Sequence, residues 1–159
     1  FLNSIEDVYT TSCCSGRISV YHIDMKDSKK EHEFLGKFHE IPDFDDILSS
    51  VSSASKDVVY YTVDPAILHV CCKDLSAAEK VLDCAYFSGF KRSGIFQLKG
   101  KIMIEVRGVD GFRVPLSGFE KRFVDEDYLR FLLDFSAVKL EKNWAKMDRF
   151  YAKLKKVFC

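Results

Sequence analysis

Alternating apolar and polar residues along this chain predict strands, and apolar residues at helical spacing between them predict helices. Residues 17–23, for example, alternate and include β-branched side chains, as in a half-buried strand. The predicted order is a strand, a short second strand, a helix, two strands, a helix, three strands and a long helix. The corresponding ranges are 17–23, 34–38, 44–51, 57–63, 67–72, 76–88, 93–98, 101–107, 112–116 and 125–157.

Capping and turn signals indicate how these elements connect. Residues 76–79 form a capping-box pattern that begins a helix, and Gly89 is placed to end it. Residues 99–100 and 110–111, Lys-Gly and Asp-Gly, favour hairpin turns and therefore antiparallel pairing. We expect an α+β fold in one domain, residues 1–159, with a mixed, largely antiparallel sheet packed with helices and a long C-terminal helix.

Charge, hydropathy and cysteine content limit which partners and sites the chain is expected to have. Lys plus Arg and Asp plus Glu number 24 each, so a nucleic-acid partner would need a local basic face. No run of about 18 apolar residues occurs, so we expect no membrane span. The six cysteines form no C-x-x-C pair, which favours free thiols in a cytoplasmic protein and no metal site. A first residue other than Met indicates that the sequence begins inside a longer protein.

Signatures of several large enzyme classes are missing from the sequence. No G-x-G-x-x-G follows a predicted strand, and no Walker lysine motif, nucleophile elbow or H-E-x-x-H occurs. We therefore expect a fold other than the Rossmann fold.

One segment is unusually dense in small hydrogen-bonding side chains. Residues 9–17 read Tyr-Thr-Thr-Ser-Cys-Cys-Ser-Gly-Arg, directly before a predicted strand. Gly16 allows close approach of another group, and Arg17 offers a planar donor fork for a carboxylate or phosphate. Composition alone favours an ordinary Ser/Thr-rich turn here. His39 and His69 would each be structural if isolated, whereas a pair of histidines near this segment could supply a base.

Residues 10–17 resemble the signature of the tRNA wybutosine-synthesizing protein 3 family, for which Ser/Thr-x-Ser-Ser-Cys-x-Gly-Arg is characteristic. Five further blocks are similar to those of the family in the same order, so the resemblance spans essentially the whole chain. The five blocks are residues 35–39, 68–75, 88–95, 100–107 and 114–116.

The resemblance implies a methyltransferase that uses S-adenosylmethionine. Its substrate would be phenylalanine tRNA with a tricyclic wybutosine precursor beside the anticodon, which is methylated on ring N4. We also expect no metal, no membrane association and no obligate protein partner. The residues expected to be catalytic are His39, His69, Ser12 and Cys14, and those expected to bind the donor are Thr10, Ser12, Gly16 and Arg17.

Basic clusters could contact phosphates of the tRNA. They are Lys26/Lys29/Lys30, Lys91/Arg92, Lys99/Lys101 and Lys121/Arg122.

The sequence departs from the family pattern in two ways. Cys13 stands where the signature has its second serine, and a thiol is a weaker hydrogen-bond donor than a hydroxyl. The family also carries a segment before Phe1, and the catalytic carboxylate that the family needs is hard to place in this chain. Asp7 and Asp24 are the candidates for that carboxylate within this chain.

Two other functions stay open at this point. The chain could be a tRNA-binding module without catalysis, which would bind modified tRNA but not S-adenosylmethionine. It could instead be an enzyme in which Cys14 is the nucleophile beside His39 or His69.

Overall fold

The computed structural model describes residues 1–23, 33–53, 58–118 and 121–158. The strands in these ranges are β1 (Val8–Cys14), β2 (Arg17–Ile23), β3 (Glu33–Phe38), β4 (Val58–Asp64), β5 (Ile67–Cys72), β6 (Gly94–Gln97), β7 (Ile102–Arg107), β8 (Phe112–Gly118) and β9 (Lys121–Arg122). The helices are α1 (Phe44–Ser52), α2 (Leu75–Ser88) and α3 (Glu126–Phe158), preceded by a short 3₁₀ helix, Leu2–Ser4.

The strands form two sheets, and every pairing between the described strands is antiparallel. The first sheet has the order β1-β5-β7-β6 and the second the order β3-β2-β4-β8-β9. The predicted α+β class and long C-terminal helix are confirmed. The single mixed sheet that we expected is replaced by two antiparallel ones, because the chain leaves one sheet for the other between β1 and β2, β4 and β5, and β7 and β8.

The chain divides into two compact units. The first consists of residues 1–16, 65–110 and 141–159, and the second of residues 17–64 and 111–140. Helix α3 contributes its residues up to Leu140 to the second unit and the remainder to the first. The assignment of residues 1–159 to one methyltransferase-like domain stays a prediction.

Each unit has its own buried apolar residues. In the first unit, residues of β5 and β7 such as Val70 and Ile104 are buried with α2 residues such as Val81. In the second unit the buried hydroxyl of Tyr61 on β4 lies 2.9 Å from that of Ser136 on α3, and burial raises the pKa of Tyr61 to about 12. Tyr61 therefore stays protonated and can donate a hydrogen bond at neutral pH.

Three local predictions are corrected by the structure. Helix α2 is capped by Asp74, two residues before the predicted cap Ser76, and the Asp74 carboxylate accepts from Ala77 N at 2.8 Å. Residues 110–111 form no hairpin, since β7 and β8 lie in different sheets. Strand β2 is not half-buried, because residues 18–21 are all buried.

The predicted helix end is confirmed. Gly89 follows α2 with a left-handed φ of 104°, a conformation in which glycine avoids the strain that a Cβ would cause. Gly100, between β6 and β7, also has a positive φ of 79°, which agrees with the turn predicted at residues 99–100.

Asn143 on α3 connects three segments of the first unit. Its Oδ1 accepts from Ala66 N at 3.0 Å, and its Nδ2 donates to Ser15 O at 2.8 Å. Gly108 N donates to Ala66 O at 2.8 Å, and a Cβ at Gly108 would lie 3.0 Å from Asn143 Oδ1. The fully buried Asn143 therefore holds the end of β1 beside the start of β5, with the end of β7 close by.

Replacement of Asn143 with Leu tests the importance of this amide. The variant keeps the branched shape of the side chain but leaves Ser15 O and Ala66 N without their partner, so we expect the free energy of unfolding to fall by about 2–4 kcal/mol. Urea unfolding followed by circular dichroism measures the change. Glu141→Gln, an exposed change one turn or less away on the same helix, serves as the control. A loss for Asn143→Leu no larger than for the control would contradict this role.

Candidate active site

The hydroxyl- and thiol-rich segment is a strand. Residues 8–14 form β1, which pairs with β5 in the first unit, so the turn expected at this segment is wrong for all but residues 15–16. Pairing with β5 supplies the backbone hydrogen bonds that a turn would have supplied locally, and tertiary context often overrides such weak local preferences. The small side chains therefore project alternately from two faces of a sheet.

An extra residue in β1 decides which of these side chains face His69. Thr10 lies opposite Val70 and Ser12 opposite His69, with Thr11 as the additional residue of a bulge. In a regular ladder Thr11 would take the position opposite His69. The bulge therefore places Ser12 there and leaves Thr11 to donate to the backbone oxygen of His69 at 3.4 Å.

A row of three hydrogen-bonded side chains crosses β1, β5 and β7. Ser12 Oγ lies 3.0 Å from His69 Nδ1, and His69 Nε2 lies 3.1 Å from Glu105 Oε2. His69 and Glu105 each keep about a third of their side-chain surface exposed, 32% and 29%. We call Ser12, His69 and Glu105 the Ser-His-Glu row. It combines a proton acceptor with access to solvent.

The two partners of His69 fix how its ring can work. An ionised carboxylate only accepts, so Glu105 requires a proton on Nε2. The lone pair of the neutral ring is then on Nδ1, directed at the Ser12 hydroxyl. Glu105 is itself near Arg107, whose Nη1 is 3.7 Å from Glu105 Oε1. The row can therefore take a proton through Ser12 and stabilise the resulting imidazolium with the Glu105 carboxylate.

Aromatic rings accompany the row. The ring centroids of His69 and Phe96 are 5.1 Å apart, and Phe96 is 55% exposed. Tyr9, two pairs along β1 from Ser12, accepts from Lys101 Nζ at 3.1 Å. That hydrogen bond raises the pKa of Lys101, which keeps its charge at this position. The face thus offers flat apolar surface and a fixed cation next to a proton acceptor.

The other residues predicted from the signature lie in different places. Cys14 is opposite Ile67 and so shares the face of His69, whereas Thr10 is on the reverse face. There Thr10 hydrogen-bonds to Asn3 at 3.0 Å and lines a cavity of about 240 Å³.

Gly16, with φ of 100°, is the last residue of this segment of the first unit. Arg17 begins the second unit and donates to Asp64 at 3.0 Å.

His39 belongs to the second unit, whereas His69 belongs to the first. It follows β3 and lines an open cavity of about 450 Å³ in which the other charged side chains are acidic: Glu40, Asp43 and Asp46. Its proposed role as a base stays a prediction.

Asp7, one of the two candidates for a catalytic Asp, does not join the Ser-His-Glu row. Asp7 forms an ion pair with Lys73 at 3.0 Å, which raises the pKa of Lys73. Asp24 and the cluster Lys26/Lys29/Lys30 lie outside the described residues.

The carboxylate that contacts His69 is that of Glu105. The sequence signal that could have found Glu105 is the single acidic residue in the apolar strand Ile-Met-Ile-Glu-Val of residues 102–106.

Cys13, the departure from the signature, is opposite Leu68 and therefore on the reverse face from His69. The thiol at this position does not replace a hydroxyl of the Ser-His-Glu row. No disulfide joins the described cysteines Cys13, Cys14, Cys71, Cys72 and Cys84.

Comparison with known proteins extends these findings. The profile of the family described as Methyltransferase TYW3 matches residues 1–156. The chain is 33% identical over 143 residues to a tRNA(Phe) 7-((3-amino-3-carboxypropyl)-4-demethylwyosine(37)-N(4))-methyltransferase of Methanocaldococcus jannaschii, covering 89% of this chain and 74% of that protein. It is 38% identical over 154 residues to the mouse tRNA wybutosine-synthesizing protein 3 homolog, covering 94% of this chain and 60% of the mouse protein.

A solved structure agrees with the fold. The PH1069 protein of Pyrococcus horikoshii superposes with a TM-score of 0.89 at 31% identity, over 96% of this chain and 79% of that one.

Thiol labelling tests whether Cys14 is a nucleophile. Burial raises the pKa of Cys72 to about 11, so its reactive thiolate is scarce at pH 7.5 and becomes abundant only near that pKa. We expect iodoacetamide at pH 7.5 to label the exposed Cys13 first, and Cys71, Cys72 and Cys84 only after unfolding. Peptide mass spectrometry over a time course distinguishes the sites. Stoichiometric labelling of Cys14 ahead of Cys13 would support the cysteine enzyme instead.

Proposed function

The chain belongs to the Methyltransferase TYW3 family, and we propose that it transfers a methyl group from S-adenosylmethionine to tRNA. The substrate that we propose is tRNA(Phe) with a tricyclic wybutosine precursor at the base beside the anticodon, and the acceptor is its ring N4. The names of the relatives from M. jannaschii and mouse support this proposal. The observation in this chain that carries it is the Ser-His-Glu row.

The residues around His69 suit the methyl donor. A sulfonium is a cation, and aromatic faces and carboxylates favour cations. Phe96 and Tyr9 are exposed aromatic residues near Glu105 on this sheet. The donor's own carboxylate would need a cation, for which Lys101 and Arg107 are the nearest candidates on the same strands. When bound, the donor supplies an activated methyl group with its leaving group already in place.

The protein's part is to position the acceptor and to take its proton. The acceptor nitrogen carries a hydrogen that must leave as the new bond forms. In our proposal that proton passes to Ser12 Oγ while the Ser12 proton passes to His69 Nδ1. Glu105 then faces the proton on Nε2 and stabilises the imidazolium. Alignment of the reactants can contribute roughly 7–11 kcal/mol and a base about 10²–10⁴-fold in rate.

Of the two histidines first considered, His69 is the stronger candidate for the base. Its ring nitrogens contact a hydroxyl that can deliver a proton and a carboxylate that can stabilise the charge. The surroundings of His39 are acidic, which is unfavourable for a phosphate backbone. The engagement of His69 with Ser12 also argues against Cys14 as the nucleophile activated by it. Donor contacts by Thr10, Gly16 and Arg17 stay predictions.

We further place the protein in the cytoplasm, where tRNA is modified and thiols are kept reduced. The free cysteines among the described residues support that location. No helix in the described ranges is long and apolar enough to cross a bilayer.

Single-turnover methylation tests the proposed base. The substrate is tRNA(Phe) purified from cells that lack this gene, in which a precursor lighter by one methyl group should accumulate. We expect His69→Ala to lower the rate by about 10²–10⁴-fold and Ser12→Ala to lower it by about 10²-fold, because each interrupts the proton path. Glu105→Gln keeps the side-chain shape but removes the charge that stabilises the imidazolium, so its rate should fall as well.

His39→Ala is the matched control, and we expect it to retain the parent rate. A parent rate for His69→Ala would refute His69 as the base. Saturable tRNA binding by the parent protein without donor binding would favour the non-catalytic module.

A further inference from the structure

Two buried hydroxyls in the second unit have no hydrogen-bond partner among residues 1–23, 33–53, 58–118 and 121–158. Ser19 on β2 and Thr62 on β4 are 1% and 4% exposed, and they lie directly opposite one another. An unsatisfied buried hydroxyl costs roughly 1–3 kcal/mol, so such groups in a folded protein call for an explanation. A ligand that accepts hydrogen bonds would satisfy both.

The pairing of the strands extends these hydroxyls into a row with a cation at each end. Lys37 on β3 lies opposite Ser19, and Arg113 on β8 lies opposite Thr62. Directly opposite residues of antiparallel strands project from the same face. We call these four residues, Lys37, Ser19, Thr62 and Arg113, the anion row. Strands are about 4.8 Å apart, so the long side chains at its ends can reach its centre.

Aromatic side chains hold the cations over this face. Lys37 Nζ is 4.0 Å from the centre of the Phe34 ring. The Arg113 guanidinium is 5.5 Å from the centre of the Tyr21 ring and 5.8 Å from that of Tyr60. A ring face contacts only one side of each cation. Other N–H groups of Lys37 and Arg113 therefore stay available to an acceptor.

The nearest ion pair does not neutralise the row. Asp64 follows Thr62 by two residues on β4 and so lies on the same face. Its carboxylate forms an ion pair with Arg17 at 3.0 Å. Neither Lys37 nor Arg113 forms an ion pair within the described part of the chain. The face therefore has three cations to one carboxylate, with two hydroxyl donors between them.

We propose that the anion row binds an oxyanion, a phosphate of the tRNA backbone. The Ser19 and Thr62 hydroxyls donate to its oxygens, and Lys37 and Arg113 balance its charge. This site rests on the proposed function for the identity of its ligand, but its chemistry does not depend on methyl transfer.

The variant Ser19→Ala/Thr62→Val tests the row with two readouts that move in opposite directions. Removal of unsatisfied hydroxyls should leave the unfolding midpoint unchanged or raise it, whereas binding should weaken by about tenfold because two charge-assisted hydrogen bonds are lost. We would measure the Kd of an unmodified tRNA(Phe) transcript, the Kd of S-adenosylhomocysteine, and the stabilisation by inorganic phosphate in thermal unfolding. Arg113→Gln should weaken the same ligand and, for tRNA, reduce the salt slope by about one.

Binding of S-adenosylhomocysteine tests whether the effect is specific to tRNA. Weaker tRNA binding with unchanged S-adenosylhomocysteine binding supports a backbone phosphate at the row, whereas weaker S-adenosylhomocysteine binding with unchanged tRNA binding contradicts it. Ser136→Ala is the control for a buried hydroxyl with a partner, and it should lower stability without changing either Kd. Lys80→Gln, an exposed change on α2, is the control for loss of charge.

The outcome that overturns the proposal is also distinct. If both Kd values stay within twofold of the parent and phosphate stabilises parent and double variant equally, the row binds no oxyanion. The parent protein could bind neither tRNA nor S-adenosylhomocysteine while phosphate stabilises it more than it stabilises the double variant. In that case the row binds an oxyanion, but the proposed function is wrong.

Discussion

The alignment of the candidate site depends on one buried amide, that of Asn143. Its hydrogen bonds to Ser15 O and Ala66 N, and the packing of Gly108 beside it, bring together the same end of β1, β5 and β7. Ser12, His69 and Glu105 each lie three residues from these anchor points along their own strands. Because a shift by one residue turns every side chain of a strand to the other face, the anchors determine that the three side chains meet.

The hydrogen bonds of the Ser-His-Glu row run in one direction. Glu105 can only accept a hydrogen bond, so the basic nitrogen of neutral His69 faces Ser12, on the edge strand of its sheet. In the proposed mechanism, protons therefore enter through the hydroxyl and the Glu105 carboxylate stabilises the charge from the opposite side. The same geometry explains why the thiol of Cys13 is compatible with this chemistry, since its position in β1 faces away from His69.

The sequence predicted the periodic elements well and the connections less well. Strands and helices with clear periodicity, such as β5 and α3, follow from local pattern, because burial of one face is a local property. Strand β1 could not be recognised, since Ser, Thr and Cys favour turns unless a partner strand supplies the hydrogen bonds. Ser12 and His69 were each named as site residues from their motifs, whereas their pairing and the contribution of Glu105 required the strand register, which depends on contacts distant in sequence.

The zero net charge of the chain makes the distribution of charge decisive for a tRNA substrate. Phosphates are attracted only where cations outnumber carboxylates locally. Lys37, Arg113 and Arg17 provide such a face on the second unit, while the cavity beside His39 is lined by Glu40, Asp43 and Asp46 and repels phosphate. Under the proposed function, the opposed charges of these two regions of the second unit would restrict how an RNA backbone can lie, so the same charges would set both the affinity and the orientation of the RNA.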